Sequence, residues 1–272
     1  MSAHPPLLMG VLNVTPDSFS DGGAYADPAH AIDRALEMVE EGAAILDIGG
    51  ESTRPGADDI PEETELARVL PVIKALAGRC AAAISIDTRK PGVARAALDA
   101  GASIWNDVSA LSYSRDSLET AARLRCRIIL MHAQGDPKTM QVDPHYDDVV
   151  EDVAGALNAR IAECEKAGID RARLIVDPGV GFGKRLDHNL ALIANLDRFA
   201  ALGCPVLLGV SRKRFIAGLD RQGPAIDRLG GSLAAALAGA ARGASILRVH
   251  DVAATRQALA VHFAIDSAHS ER

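Results

Sequence analysis

Little in this sequence is aromatic. Phe, Tyr and Trp together make up 3% of 272 residues, against 48% for all apolar types. A core of that composition has to be built from Ala, Leu, Ile and Val. A surplus of positive charge is also missing: 29 Lys and Arg stand against 36 Asp and Glu, a net charge of −7. That argues against a general binder of nucleic acid or membrane surfaces, though it leaves room for a local basic pocket around an anionic substrate. No apolar run approaches the roughly 20 residues that span a bilayer. Met1 to Pro6 lacks the basic start and apolar stretch of a secretion signal. The four cysteines, Cys80, Cys126, Cys164 and Cys204, are widely spaced and form no CxxC pair. Neither a zinc site nor a disulfide framework is expected, and buried free thiols in a reducing cytoplasm are the natural reading.

One pattern repeats along the chain. A short run rich in Ile, Val and Leu ends in a polar residue, a loop follows, and then an Ala-rich amphipathic stretch. The runs are LLMGVLNV (7–14), AAILDIG (43–49), AAISIDT (82–88), SIWNDV (103–108), RIILMH (127–132), RLIVDPG (173–179), PVLLGVS (205–211) and SILRVH (245–250). Helices are expected between them, for example over 28–41 (with Asp27 as N-cap), 61–76, 91–100 and 146–167. Glycines at 42, 78, 101 and 168 close them. Strand and helix alternating eight times implies parallel strands with helical crossovers. The spacing predicts a single (β/α)₈ barrel over residues 1–272, with a doubly wound sheet as the other arrangement compatible with the pattern.

In a barrel the chemistry gathers where the strands end. Here the strand ends are Asn13, Asp47, Asp87, Asn106 with Asp107, His132, Asp177, Ser211, and Arg248 with His250. A single one of these reads as a helix cap or loop hydrogen bond; eight on one face point to a site. Asp87, Asn106 and Asp177 finish apolar strands, and a buried carboxylate needs a partner. An aminopyrimidinone edge, as in a pterin or guanine, offers a ring N–H beside an amino group and suits bidentate acceptance. Internal ion pairs, with Arg89 or Lys90 beside Asp87, are the alternative. Alternation puts Arg248 and His250 on one side of their strand, where a phosphate or pyrophosphate would answer them. Lys213, between Arg212 and Arg214, and Arg54 add to this cationic set, although most Lys and Arg are solvated surface. DPGVGFGK (177–184) is not a P-loop: Pro178 stands where the first Gly belongs and Arg185 follows Lys184.

In this order, GVLNVTPDSFSDGG, DIGGESTRPG, SIDT, NDVSA, MHAQGDPKTMQ, DPGVGFGK, GVSRKRF and RVHDV resemble the dihydropteroate synthase family of folate biosynthesis. The likeness runs from about Leu7 to about Val252. It implies a transferase that condenses 6-hydroxymethyl-7,8-dihydropterin diphosphate with 4-aminobenzoate, releasing pyrophosphate. Carried over position by position, Asp87, Asn106, Asp177 and Lys213 would hold the pterin, with Val108 and Met131 as apolar walls. Asn13, Thr53, Arg54, Arg248 and His250 would hold the diphosphate, with Asn13 also on Mg²⁺. Phe19, Thr53, Pro55, Gly181, Phe182 and Ser211 would line the aminobenzoate site. Lys213, Asp177, Arg248 and His250 would carry the catalytic electrostatics. The loops after the first two strands would be mobile, with Asp17 and Asp21 holding the closed form of the first and Phe19 packing over the aminobenzoate. Sulfonamides would compete there. The small-residue stretch GGSLAAALAGAARGA (230–244) would either pack on the barrel or lie in a homodimer formed by late helices. A pterin-dependent methyltransferase has no diphosphate to bind, so Arg54, Lys213, Arg248 and His250 weigh against it. A non-catalytic pterin-binding paralogue should have lost loop residues that are present here.

Overall fold

The computed structural model describes residues 5–15, 28–52, 58–135, 140 and 142–270. Eight strands alternate with helices: β1 (Leu7–Asn13), α1 (Pro28–Glu41), β2 (Ile45–Gly49), α2 (Glu62–Leu76), β3 (Ala83–Asp87), α3 (Pro91–Asp99), β4 (Ile104–Asp107) and α4 (Ser117–Arg123). The second half continues with β5 (Arg127–Met131), α5 (Val149–Lys166), β6 (Leu174–Asp177), α6 (Leu186–Ala194), α7 (Leu196–Ala200), β7 (Leu207–Gly209), α8 (Arg214–Leu219), α9 (Leu229–Ala240), β8 (Ile246–Val249) and α10 (Val252–Ser270). All pairings are parallel, in the order β6-β5-β4-β3-β2-β1-β8-β7. A parallel bridge between Val176 and Val206 joins the two outer strands and closes the barrel. The strands fall inside the eight runs read from the sequence. The Asp27 cap lies outside the described residues.

Two packed layers explain the strand sequences. Outside, residues such as Leu46, Ile48, Ile84, Ile86, Trp105, Leu130, Leu247 and Val249 pack against the helices in one large core. Inside, Met9, Ile45, Ile104, Ile129, Ile175, Leu207 and Ile246 form a separate plug, with Ala83 packed against it on β3. Side chains of a strand alternate between faces. Two residues beyond each plug residue, the interior therefore receives Val11, Asp47, Ser85, Asn106, Met131, Asp177, Gly209 and Arg248. Two residues further along come Asn13, Gly49, Asp87, Val108, Ala133, Gly179, Ser211 and His250. The plug is thus a floor, and the polar rings stand on it at the C-terminal mouth.

The small residues of α9 serve this architecture. A Cβ at Gly239 would lie 2.1 Å from the Leu208 side chain of β7, and one at Gly231 would lie 2.3 Å from Ile216 of α8. The sequence allowed either barrel packing or a subunit contact here, and at these two glycines the helix packs on the barrel and on α8.

Candidate active site

The inner ring of the mouth is organised around Arg248. Its Nε donates to Asp47 Oδ2 at 2.6 Å, and its Nη2 donates to Asp87 Oδ2 at 2.8 Å. Asn106 Nδ2 donates to the same Asp47 oxygen at 3.0 Å. Strand register makes this possible: Asp87 lies beside Asn106 on neighbouring strands, and Val11 on β1 lies beside Asp47. The ion pair anticipated between Asp87 and Arg89 or Lys90 does not form. Those cations pair elsewhere, Lys90 with Glu65 at 2.8 Å and Glu51 at 3.1 Å, and Arg89 with Glu51 and Asp59. The partner of Asp87 comes from across the barrel, 161 positions along the chain.

Asp87 has one oxygen committed to Arg248, while its Oδ1 is buried and accepts no hydrogen bond among the described residues. Burial pushes this carboxyl up to about 7; Arg248 pulls against that and Asp47 adds to it. Burial also raises Asp177, opposed by Lys213 and by the Gly179 amide, which donates to Asp177 Oδ1 at 2.8 Å. Lys213 answers in kind: burial lowers its ammonium to about 8, and Asp177 draws it back up. The ammonium donates to the Val180 carbonyl and lies 4.4 Å from the centroid of the Phe182 ring. Burial works against the charge on Arg248, but Asp47 and Asp87 outweigh it and hold the guanidinium above its ordinary range.

A second cluster lies alongside. His250 Nδ1 is 3.0 Å from Ser211 Oγ, which also accepts the His250 backbone N–H at 3.2 Å. The strand positions of Arg248 and His250 confirm the expected shared face. Asn13 ends β1 in register with Gly49, and Gly49 with Asp87. A Cβ at Gly49 would meet Asn13 Oδ1 at 3.6 Å and Asp87 Oδ2 at 3.7 Å, so the amide and the carboxylate both face this narrow gap. Met131 is buried beside Asp177 in register, and Val108, Met131 and Phe182 share the wall of one cavity of about 400 Å³. Of the flanking arginines, Arg212 is held by Asp251, while Arg214 is exposed on α8. Thr53, Arg54, Pro55, Asp17, Phe19 and Asp21 lie outside the described residues.

The structure thus gathers Asn13, Asp87, Asn106, Asp177, Lys213, Arg248 and His250 at one mouth. It adds Asp47, which the sequence reading counted among the strand ends without giving it a role. Asp47 is fully buried and shares one oxygen between Arg248 and Asn106. The signal that would have found it is the two-residue step from Ile45, the same step that leads from Ile246 to Arg248. Lys184, read only as the end of a glycine loop, is also buried here. Chemically, two carboxylates and an amide suit a heterocycle edge rich in N–H donors, and the adjoining cations suit an anionic leaving group.

Comparison with known proteins gives the same direction. A family model described as pterin binding enzyme matches residues 9–250. The chain is 50% identical over 256 residues to the dihydropteroate synthase of Escherichia coli K12, covering 94% of this chain and 90% of that protein. It superposes on Xanthomonas albilineans dihydropteroate synthase with 4-aminobenzoic acid at a TM-score of 0.91 and 50% identity, covering 98% of this chain and 95% of that one. A complex of the Xanthomonas enzyme with 7,8-dihydropteroate superposes at 0.87 and 47% identity, with coverage of 98% and 95%.

Proposed function

The chain belongs to the dihydropteroate synthase family of pterin-binding enzymes, and from that membership we infer how its barrel mouth joins 6-hydroxymethyl-7,8-dihydropterin diphosphate to 4-aminobenzoate, giving 7,8-dihydropteroate and pyrophosphate for folate biosynthesis. The observation that carries the reading is the buried set of Asp87, Asn106 and Asp177 with Arg248 and Lys213 at its edge. Asp87 Oδ1, without a donor among the described residues, is where a ring N–H or amino group of the pterin would be received. Asn106 and Asp177 serve the remaining edge atoms, and Lys213 meets a pterin acceptor.

The reaction breaks the bond between the pterin CH₂ and the diphosphate oxygen and forms a bond from that carbon to the arylamine nitrogen. Departure of pyrophosphate leaves a cation delocalised into the electron-rich pterin, and Asp87 and Asp177 stabilise it. Arg248 and His250, with Arg54, take the charge that develops on the leaving group. The arylamine attacks with its own lone pair, so the chain needs no nucleophile of its own; the amine proton is lost after attack. Ser211, Gly181 and Phe182 would bound the space where the amine is held close to the CH₂, a contribution of several kcal/mol by orientation. Exclusion of water protects the cation from hydrolysis.

Asn13 fits a Mg²⁺ ion of the substrate-borne kind. Its amide oxygen faces the mouth, and no cluster of three His, Cys, Asp or Glu suited to a metal exists among the described residues. Mg²⁺ commonly keeps its waters and is held by one or two protein oxygens plus substrate phosphates, which this donor set supports. Bound there, the ion would neutralise charge on the diphosphate. A homodimer through the late helices is supported by exposed Leu186, Leu190, Leu219, Ile226 and Leu229, which cluster where α6, α8 and the start of α9 adjoin. Sedimentation at micromolar concentration, with Ile226→Glu as the disrupting variant, tests it; a wild-type monomer would contradict it. A cytoplasmic location agrees with four free cysteines and with the absence of a described helix long and apolar enough to cross a membrane. Inhibition by a sulfonamide tests the aminobenzoate site: competition with 4-aminobenzoate is expected, and non-competitive inhibition would count against it.

A further inference from the structure

Lys184 is buried, yet every partner of its ammonium is uncharged: the Phe182 carbonyl at 2.9 Å, His132 Nδ1 at 3.1 Å and the His132 carbonyl at 3.2 Å. When Lys184 is protonated it can only donate, and His132 Nδ1 is then the acceptor. The imidazole stays neutral because burial, and then Lys184 itself, lower it to about 3. A buried cation without a carboxylate in contact is expensive, and burial lowers Lys184 to about 7. What it holds together is specific. Residues 179–183 form the turn after β6, and they press onto the end of β5 with no space between the backbones. A Cβ on Gly179 would stand 1.8 Å from the His132 carbonyl, and one on Gly183 2.6 Å from the Gln134 carbonyl. Both glycines have positive φ, 69° and 62°, so the turn depends on them twice over.

The polar groups of this turn are fixed one by one. Asp177 receives the Gly179 amide, Asn189 Oδ1 receives the Gly181 amide at 2.6 Å, and Tyr146 donates to the Gly183 carbonyl at 2.9 Å. Lys184 alone among these reaches both sides, binding Phe182 within the turn and His132 at the end of β5. The same turn presents the Val180 carbonyl to Lys213 and the Phe182 ring to its ammonium. Resting on the reading of the site given above, we propose that Lys184 is a positioning residue for aminobenzoate, clamping the 179–183 turn to β5 so that the Phe182 ring is held where the second substrate enters. It touches neither substrate itself.

The test compares Lys184→Met and Lys184→Gln with the wild type by steady-state kinetics in each substrate, alongside thermal unfolding. Loss of a charged donor to two buried carbonyls should raise the aminobenzoate KM at least about tenfold, with the pterin diphosphate KM within about threefold. Lys184→Gln retains a donor and should lie between Met and wild type. A role confined to folding would lower the melting temperature and the active fraction while leaving both KM values alone, and that result overturns the proposal. An equal rise in both KM values does so as well. Should Lys184→Met fail to fold, Lys184→Gln decides by the same KM comparison. A wild type that makes no dihydropteroate would instead defeat the reading of the site, so the two failures are distinct.

Discussion

The affinity of the mouth for a pterin should pass through a maximum between about pH 7 and 8. Asp87 must be a carboxylate for its open Oδ1 to receive a pterin N–H beside the Arg248 contact on Oδ2; as a carboxylic acid it would present a donor to a donor. With its carboxyl pushed up to about 7 by burial, only about one molecule in eleven is ionised at pH 6, which weakens binding about tenfold, or about 1.4 kcal/mol. On the alkaline side Lys213, lowered to about 8 by burial, loses its charge, and affinity falls again above that pH. The stability contribution of Asp87 runs the opposite way. Its folded value lies above the ordinary 3.8, so the folded state holds the extra proton and stability falls as pH rises from about 4 to about 7. Calorimetric titration with 6-hydroxymethylpterin, which lacks the diphosphate and the ionisations of its phosphates, measures the acid limb directly. Asp87→Asn should bind weakly at every pH and lack the acid limb. Affinity that is flat from pH 5.5 to 9, or an acid limb that persists in Asp87→Asn, would refute the reasoning.

Three further outcomes are expected. Lys213→Ala and Asp177→Asn should each lower turnover at least about 100-fold, the scale of losing a charged contact at a reacting centre; near-wild-type kinetics would remove them from the site. Asp47→Asn should lower kcat/KM roughly 10- to 100-fold by loosening Arg248 and Asn106. Since Asp47 pushes Asp87 upward, the same variant should move the acid limb to lower pH, and an upward move would contradict the arrangement. Lys90→Met should destabilise the fold by about 3–5 kcal/mol in denaturant titration, because it strands Glu65 as a buried carboxylate without a cation; a loss below about 1 kcal/mol would show that the pair is dispensable.

The strands were legible because each is a short Ile- and Val-rich run closed by a polar residue, and the helix over 28–41 because Gly42 stops it. What the runs concealed was their alternation. Ile45, Asp47 and Gly49 face one way while Leu46 and Ile48 face the other, and a run apolar at most positions hides a polar inner face. Asp47 was hidden in this way, since a charge inside an apolar run makes sense only once Arg248 is seen opposite. The partners of Asp87 were invisible for a related reason. Sequence neighbours Arg89 and Lys90 were the visible cations, but beyond the end of β3 they pair with Glu51, Asp59 and Glu65, while Arg248 arrives from the last strand. Lys184 was hidden by its setting, because a lysine at the end of a glycine loop reads as surface until the closeness of His132 to Gly179 is known.

Release of pyrophosphate, followed with each component omitted in turn, tests the central claim most directly. With dihydropterin diphosphate, 4-aminobenzoate and Mg²⁺ together, pyrophosphate and 7,8-dihydropteroate should appear in equal amounts, and omission of either substrate should abolish the dihydropteroate. Tight binding of the pterin diphosphate with no dihydropteroate formed under the complete conditions would contradict the account.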